Sequence, residues 1–192
     1  MALILASGSP RRRELMSLIT PDYTVITSDV DETKIAADSP AHLAKALATA
    51  KARAASRLAA VQALYQLDME ATPLPSLLDE FHRHRLGAEI EGDQYAEAES
   101  VFFDDLVKGA VARRDEIDTL LSSKLADGWK LERLDKTMLQ ILRAGAYELM
   151  ARPDVPTGTA ISEYVDVAHA FFEAREAKFV NGLLDAVAKA VR

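Results

Sequence analysis

Cysteine is absent from this 192-residue chain, which excludes disulfides, thiolate metal sites and thiol nucleophiles together. The four histidines stand at no spacing typical of zinc ligands. His82 and His84, two apart on a predicted helix, point in different directions and read as solvated surface. No run of about 18 apolar residues is present to cross a membrane. The early apolar stretch Leu3-Ile4-Leu5 lacks the basic flank and the length of a signal peptide. A soluble cytoplasmic protein is expected, without membrane contact. Hydrophobic residues make up 49% of the chain, an ordinary share that allows a buried core in one domain or two small ones.

A net charge of -7 argues against generic attraction to nucleic acid, whose non-specific binding comes mainly from phosphate neutralisation. Acidic residues are nevertheless missing from 39–67, which carries Lys45, Lys51, Arg53 and Arg57 with His42 nearby. That stretch is the expected landing place for an anionic partner. Ordinary solubilising residues on an alanine-rich helix would look the same, and charge alone leaves the two readings level.

At the front, Leu3-Ile4-Leu5-Ala6 runs into Ser7-Gly8-Ser9-Pro10, and Arg11-Arg12-Arg13-Glu14-Leu15 continues with helical spacing, which reads strand, turn, helix. Ser9 suits the N-cap and Pro10 the first helical position. Three arginines in the first turn oppose the helix dipole unless a phosphate sits there. Residues 23–27 read as a second strand. Asp29, Asp31 and Glu32 then form a carboxylate cluster able to hold magnesium, although an unliganded acidic turn is the commoner meaning of such a cluster.

The string from Leu3 to Leu15, Asp29-Val30-Asp31-Glu32-Thr33 and Leu47-Ala48-Thr49-Ala50-Lys51-Ala52 together resemble the start of the Maf family of nucleoside triphosphate pyrophosphatases. The resemblance implies phosphate binding by Ser7, Ser9, Arg11 and Arg12, with Glu32 and Lys51 at the family's first acidic and lysine positions. It covers about the first quarter of the chain. The strand bearing the family's catalytic aspartate and its later Gly-Lys-Pro segment do not follow. Hydrolysis needs a metal-activated water and a base opposite the triphosphate, so no catalysis is expected, and magnesium is expected only if the pyrophosphatase alternative holds.

Between Pro40 and Pro73 neither proline nor glycine interrupts the chain, and Leu43, Leu47, Ala50, Ala54, Leu58, Val61 and Tyr65 make one helical stripe. A single helix over 41–70 is predicted. Beyond it, apolar residues recur three and four apart, with breaks at Pro73, Pro75, Gly87, Gly92, Gly128, Pro153 and Pro156. Alternating strand patterns are absent, so an all-helical bundle is expected, with 87–99 as a solvated loop.

Four ordered blocks give this part a sharper resemblance: Ala59-Ala60-Val61-Gln62-Ala63-Leu64-Tyr65-Gln66, Leu142-Arg143-Ala144-Gly145-Ala146-Tyr147-Glu148-Leu149, Asp154-Val155-Pro156 leading to Ala160-Ile161-Ser162-Glu163-Tyr164, and Lys178-Phe179-Val180-Asn181-Gly182-Leu183-Leu184-Asp185. They resemble the NusB family of transcription antitermination factors. That resemblance implies an all-helical fold, no enzyme activity and binding of single-stranded boxA-type RNA. It further implies the ribosomal small-subunit protein NusE as partner, within the antitermination complex of RNA polymerase; a homodimer is an alternative assembly. The whole is expected to be mainly α. A NusB-like all-helical RNA-binding domain over 52–192 would follow a small, incomplete Maf-like β-α-β-α fragment over 1–51, joined through the continuous helix.

RNA binding needs cations for the backbone and flat side chains for splayed bases. By resemblance, Arg53, Arg57, Gln62 and Tyr65 lie on the arginine-rich, RNA-facing first helix, and Lys178 and Phe179 are the basic-aromatic pair near the last, with Arg175 one turn before. Against these stand blander readings: solvated charge for Arg57 and Lys178, core packing for Tyr65 and Phe179. Asn181 and Gly182 are expected to serve close helix packing and capping. Met138 stands where several relatives carry a carboxylate of the partner surface. NusB-like domains also occur at the front of ribosomal RNA cytosine methyltransferases, and the absence of a methyltransferase after Arg192 argues against that third reading.

Overall fold

The structure, a computed structural model, describes residues 3–5, 23–25, 39–70, 72–86 and 93–192. Two strands, β1 (Leu3–Leu5) and β2 (Tyr23–Val25), pair in parallel with Leu3 opposite Tyr23. The helix expected between them and the loop bearing Ser7, Ser9, Arg11 and Arg12 lie outside the described residues, as do Glu32 and the remainder of the acidic cluster.

Among the described residues seven helices follow: α1 (Pro40–Met69), α2 (Leu74–His84), α3 (Asp93–Ala112), α4 (Arg114–Lys124), α5 (Lys136–Ala151), α6 (Thr157–His169) and α7 (Ala174–Val191). A three-residue 3-10 turn, Leu131–Arg133, precedes α5. None of the helices among the described residues is long and apolar enough to cross a membrane.

The 30-residue α1 spans roughly 45 Å at 1.5 Å per residue. Ser39 caps it by accepting a hydrogen bond from the His42 N–H at 3.2 Å, and Pro40 occupies the first turn, where its missing N–H costs nothing. Within α1 the described side chains before Ala52 are half-exposed or exposed, and continuous burial begins only beyond it, from Ser56 to Val61. The packed core therefore takes hold of this helix about half-way along.

At the centre sits α5, packed against α1, α3, α4, α6 and α7. Asp135 caps it, accepting from the N–H groups of Thr137 and Met138 at 2.8 and 3.2 Å. All twelve residues from Met138 to Leu149 are buried, so this helix has no solvent face along that stretch and its polar members need internal partners. Arg143 donates to both oxygens of Asp118 at 2.8 and 2.7 Å. Glu148 is satisfied from α1 and α6, as described below.

Away from the arginine-bearing part of α1, the structure departs from the sequence reading in three places. The segment 87–99 was expected to be a loop, yet α3 begins at Asp93; Gln, Ala and Glu are good helix formers, and acids at a helix start oppose no dipole. His82 is not simply solvated: its Nε2 lies 2.7 Å from Oδ1 of Asp104, and its ring meets Phe103 edge-on. Gly182 and Asn181 face outward, and a Cβ at Gly182 would meet nothing within 4 Å. The close approaches occur instead at Gly145, against Leu184, and at Gly109, against the ring of Tyr147.

Candidate nucleic-acid interface

The arginine-bearing part of α1 meets α3, α5 and the α5–α6 corner around one ring. Phe102, 3% exposed, has the guanidinium carbons of Arg53, Arg57 and Arg152 at 5.2, 5.1 and 5.1 Å from its centroid. Three like charges share a site here because carboxylates separate them and the electron-rich face of the ring attracts each.

Arg57 is held inside. It is 2% exposed, and its Nε and Nη2 donate to Oε2 and Oε1 of Glu148 at 3.0 and 2.6 Å, while Nη1 donates to Oε2 of Glu163 at 3.1 Å. Tyr164 completes the group by donating its hydroxyl to Glu148 at 2.9 Å. Burial works to lower the Arg57 pKa, but the hydrogen bond and charge of Glu148 outweigh it, so the guanidinium stays protonated. Burial also holds the Glu163 carboxyl above its usual range, against the pull of Arg57. The expected RNA-facing position of Arg57 is thus an interior one, and the alternative of a solvated charge is equally set aside.

Arg53, one turn earlier, sits at the rim. Its side chain is 35% exposed, and its ion pair with Asp154 is long, at 3.7 Å. Asp154 is already claimed by Arg152, which donates from Nε and Nη2 at 2.8 and 2.9 Å and draws the carboxyl down to about 2. Arg152 also donates to Asp105, whose other oxygen accepts from the Tyr147 hydroxyl at 2.9 Å. Arg53 is therefore a positioned cation only partly neutralised by its carboxylate, which suits a phosphate oxygen.

Farther along α1, Gln62 and Tyr65 are half-buried. Beyond them, Asp68 accepts from Arg114 at 2.7 Å and Lys136 at 3.0 Å. Burial opposes ionisation of Asp68, yet those two hydrogen bonds keep its pKa below the ordinary value. Met138 is 7% exposed and belongs to the core rather than to an open surface.

The second group of expected residues lies at the start of α7. Arg175 and Lys178 are exposed, and Phe179 is half-buried with its ring stacked on Trp129 at 5.7 Å. The other end of α7 is fixed beside the first group, because the Arg192 guanidinium donates to the carbonyls of Leu149, Arg152 and Val155 at 2.8, 2.8 and 2.6 Å. Twelve residues of helix lie between Phe179 and Arg192, so the two groups stand roughly 20 Å apart. Among the described residues no hydrogen bond, ion pair or ring contact joins them. An extended strand of several nucleotides would be needed to touch both.

Sequence reading missed Phe102, Glu148, Arg152 and Trp129. Glu148 carried a signal: a carboxylate in the middle of an otherwise apolar helical stretch needs a buried partner. Among the described residues no cluster of three or more His, Asp or Glu is arranged to hold a metal ion.

Comparison with known proteins gives two family matches: the NusB family over residues 54–189 and Maf-like protein over residues 2–72. The two overlap over residues 54–72, from within α1 to just past its end. The transcription antitermination protein NusB of Novosphingobium aromaticivorans is 79% identical over 142 residues, covering 74% of this chain and 96% of that protein. Its counterpart in Caulobacter vibrioides is 49% identical over 140 residues, covering 73% and 94%. Among solved structures, NusB of T. maritima superposes with a TM-score of 0.59 at 30% identity over 71% of this chain and 90% of that one. A crystal structure of antitermination factors NusB and NusE in complex with dsRNA superposes with a TM-score of 0.61 at 26% identity, over 73% and 98%.

Proposed function

The chain belongs to the NusB family, and on that premise we propose that it is a transcription antitermination factor, not an enzyme, that recognises boxA-type single-stranded RNA together with NusE in the antitermination complex of RNA polymerase. The observation that carries the RNA contact is Arg53: a rim guanidinium over the Phe102 ring, with a single distant carboxylate, at the start of the buried part of α1. Arg57 enters the same reading as a positioning residue, since its donors are taken by Glu148 and Glu163. Gln62 and Tyr65 continue the track along α1, and Arg175, Lys178 and Phe179 would meet the RNA at the far end of α7. NusE and RNA as classes of partner have support in the solved assembly of NusB and NusE with dsRNA.

For the front segment, we propose a division at about residue 51, just before the NusB match begins at residue 54, although the Maf-like match runs on to residue 72; 1–51 would be a remnant of a nucleotide-binding unit and 52–192 the RNA-binding domain. Ser7, Ser9, Arg11, Arg12, Glu32 and Lys51 would be its phosphate positions. The missing aspartate-bearing strand leaves it without the base that magnesium-assisted pyrophosphate release requires.

Binding of a labelled boxA RNA, measured against a scrambled RNA with and without NusE at several salt concentrations, tests the main reading. Tighter, salt-sensitive binding of boxA RNA is expected. Equal affinity for both RNAs, with and without NusE, overturns it.

A further inference from the structure

Trp129 is the chain's single tryptophan, and it is 56% exposed although it is the largest apolar side chain present. The backbone holds it there. Gly128 adopts a φ of 83°, a left-handed conformation that side chains resist, and the Trp129 N–H closes the turn onto the Ala126 carbonyl at 3.0 Å. One face of the indole is backed by Phe179, with ring planes 28° apart, and Phe179 in turn packs on the core. The result is an anchored aromatic surface with much of its area open to solvent.

The cations around it are also unusual. Lys130 is next in sequence, Arg133 ends the following turn, and Arg175 and Lys178 occupy the first turns of α7 that carry Phe179. None of the four has an ion-pair partner among the described residues, unlike Arg85, Arg113 or Arg152, each bound to a carboxylate. Acidic residues, Asp127, Glu132, Glu173 and Glu176, share these two segments, so the field is mixed rather than uniformly positive. Long, unpaired cations beside a flat ring match the two parts of a nucleotide: a base for the ring and a phosphate for the cation.

We infer that Trp129 and Phe179 form a stacking platform for one splayed base of single-stranded RNA, with Lys130 and Lys178 reaching the adjoining phosphates. This rests on the RNA-binding reading and adds Trp129 and Lys130 to it. A base stacked on the free indole face continues the Phe179–Trp129 stack by one ring.

Because Trp129 is the sole tryptophan, its emission reports on this surface directly. The full chain is titrated with a boxA RNA labelled for anisotropy while tryptophan emission is followed in parallel. Quenching with the same midpoint as the anisotropy change is expected, and a duplex of the same sequence should leave emission largely unchanged. Trp129→Ala should weaken binding by about tenfold with an unchanged helical spectrum, and Trp129→Phe, which keeps a ring, should recover most of it. Saturable RNA binding with unaltered emission overturns the platform and leaves the broader reading standing. Equal quenching by the duplex, or by the protein partner without RNA, also overturns it. Absence of any anisotropy change removes both readings together.

Discussion

Arg57 and Glu148, 91 residues apart in sequence, form a two-pronged ion pair with contacts of 2.6 and 3.0 Å, and almost none of either side chain reaches solvent. The pair ties α1 to the central helix α5, and Tyr164 and Glu163 tie α6 to the same point. Removing one member leaves the other charge buried without its counterion, which costs far more than the pair itself contributes.

Glu148→Gln is therefore expected to destabilise the fold by about 3–5 kcal/mol, read as a lower urea midpoint at unchanged slope. A loss below about 1 kcal/mol would show that Glu163 alone suffices for Arg57.

The two arginines of α1 should separate in their effects. Arg53→Ala is expected to weaken RNA binding several-fold and lower the salt slope by about one, while changing stability by no more than about 0.5 kcal/mol. Arg57→Ala should lower stability by several kcal/mol and reduce RNA binding in proportion to the fraction unfolded. Intact stability with lost RNA affinity in Arg57→Ala would return that side chain to the RNA surface.

Glu163 should leave a mark on the pH dependence of stability. Burial raises its carboxyl above its ordinary value of 4.5, so the folded protein holds that proton more tightly than the unfolded chain does. The stabilisation is fully present below pH 4.5 and is lost as pH rises through the folded pKa. Glu163→Gln keeps an acceptor for Arg57 and does not titrate. Its melting temperature relative to the parent should accordingly rise between pH 4.5 and 7, and a flat difference across that range would contradict the placement of Glu163. Asp154 has the opposite sign: its contribution is present above its ordinary value and is lost as pH falls towards about 2.

Gly109→Ala is expected to destabilise by about 1–3 kcal/mol, since the new methyl would fall on the Tyr147 ring, whose hydroxyl is fixed by Asp105. Gly182→Ala, in open space, should be neutral or slightly stabilising in a thermal melt. A reversal of that order would show that Tyr147 can move away.

Much of the fold was legible in the sequence. Apolar spacing and the absence of proline and glycine between Pro40 and Pro73 predicted α1, and Ser39 and Asp135 behave as local capping signals do, because a cap depends on residues within one turn. The four ordered blocks carried the family for the same reason: they are strings of adjacent residues. The interface was less legible. Phe179 was visible as an aromatic beside Lys178, but its partner Trp129 comes from a turn 50 positions earlier, and no local pattern links them.

Arg53 and Arg57 mark the limit. The sequence by itself determined that both ride on one helix, four residues and so about one turn apart, on neighbouring parts of one face. It could not say that one would be interior and the other at the rim. That was decided by the tertiary structure, because α5 and α6 bring Glu148, Glu163 and Tyr164 to the level of Arg57, while Asp154 alone stands opposite Arg53, at a longer distance and already bound to Arg152. A charge can be buried only where distant segments deliver its counterions, and their arrival at one point is a property of the packed chain.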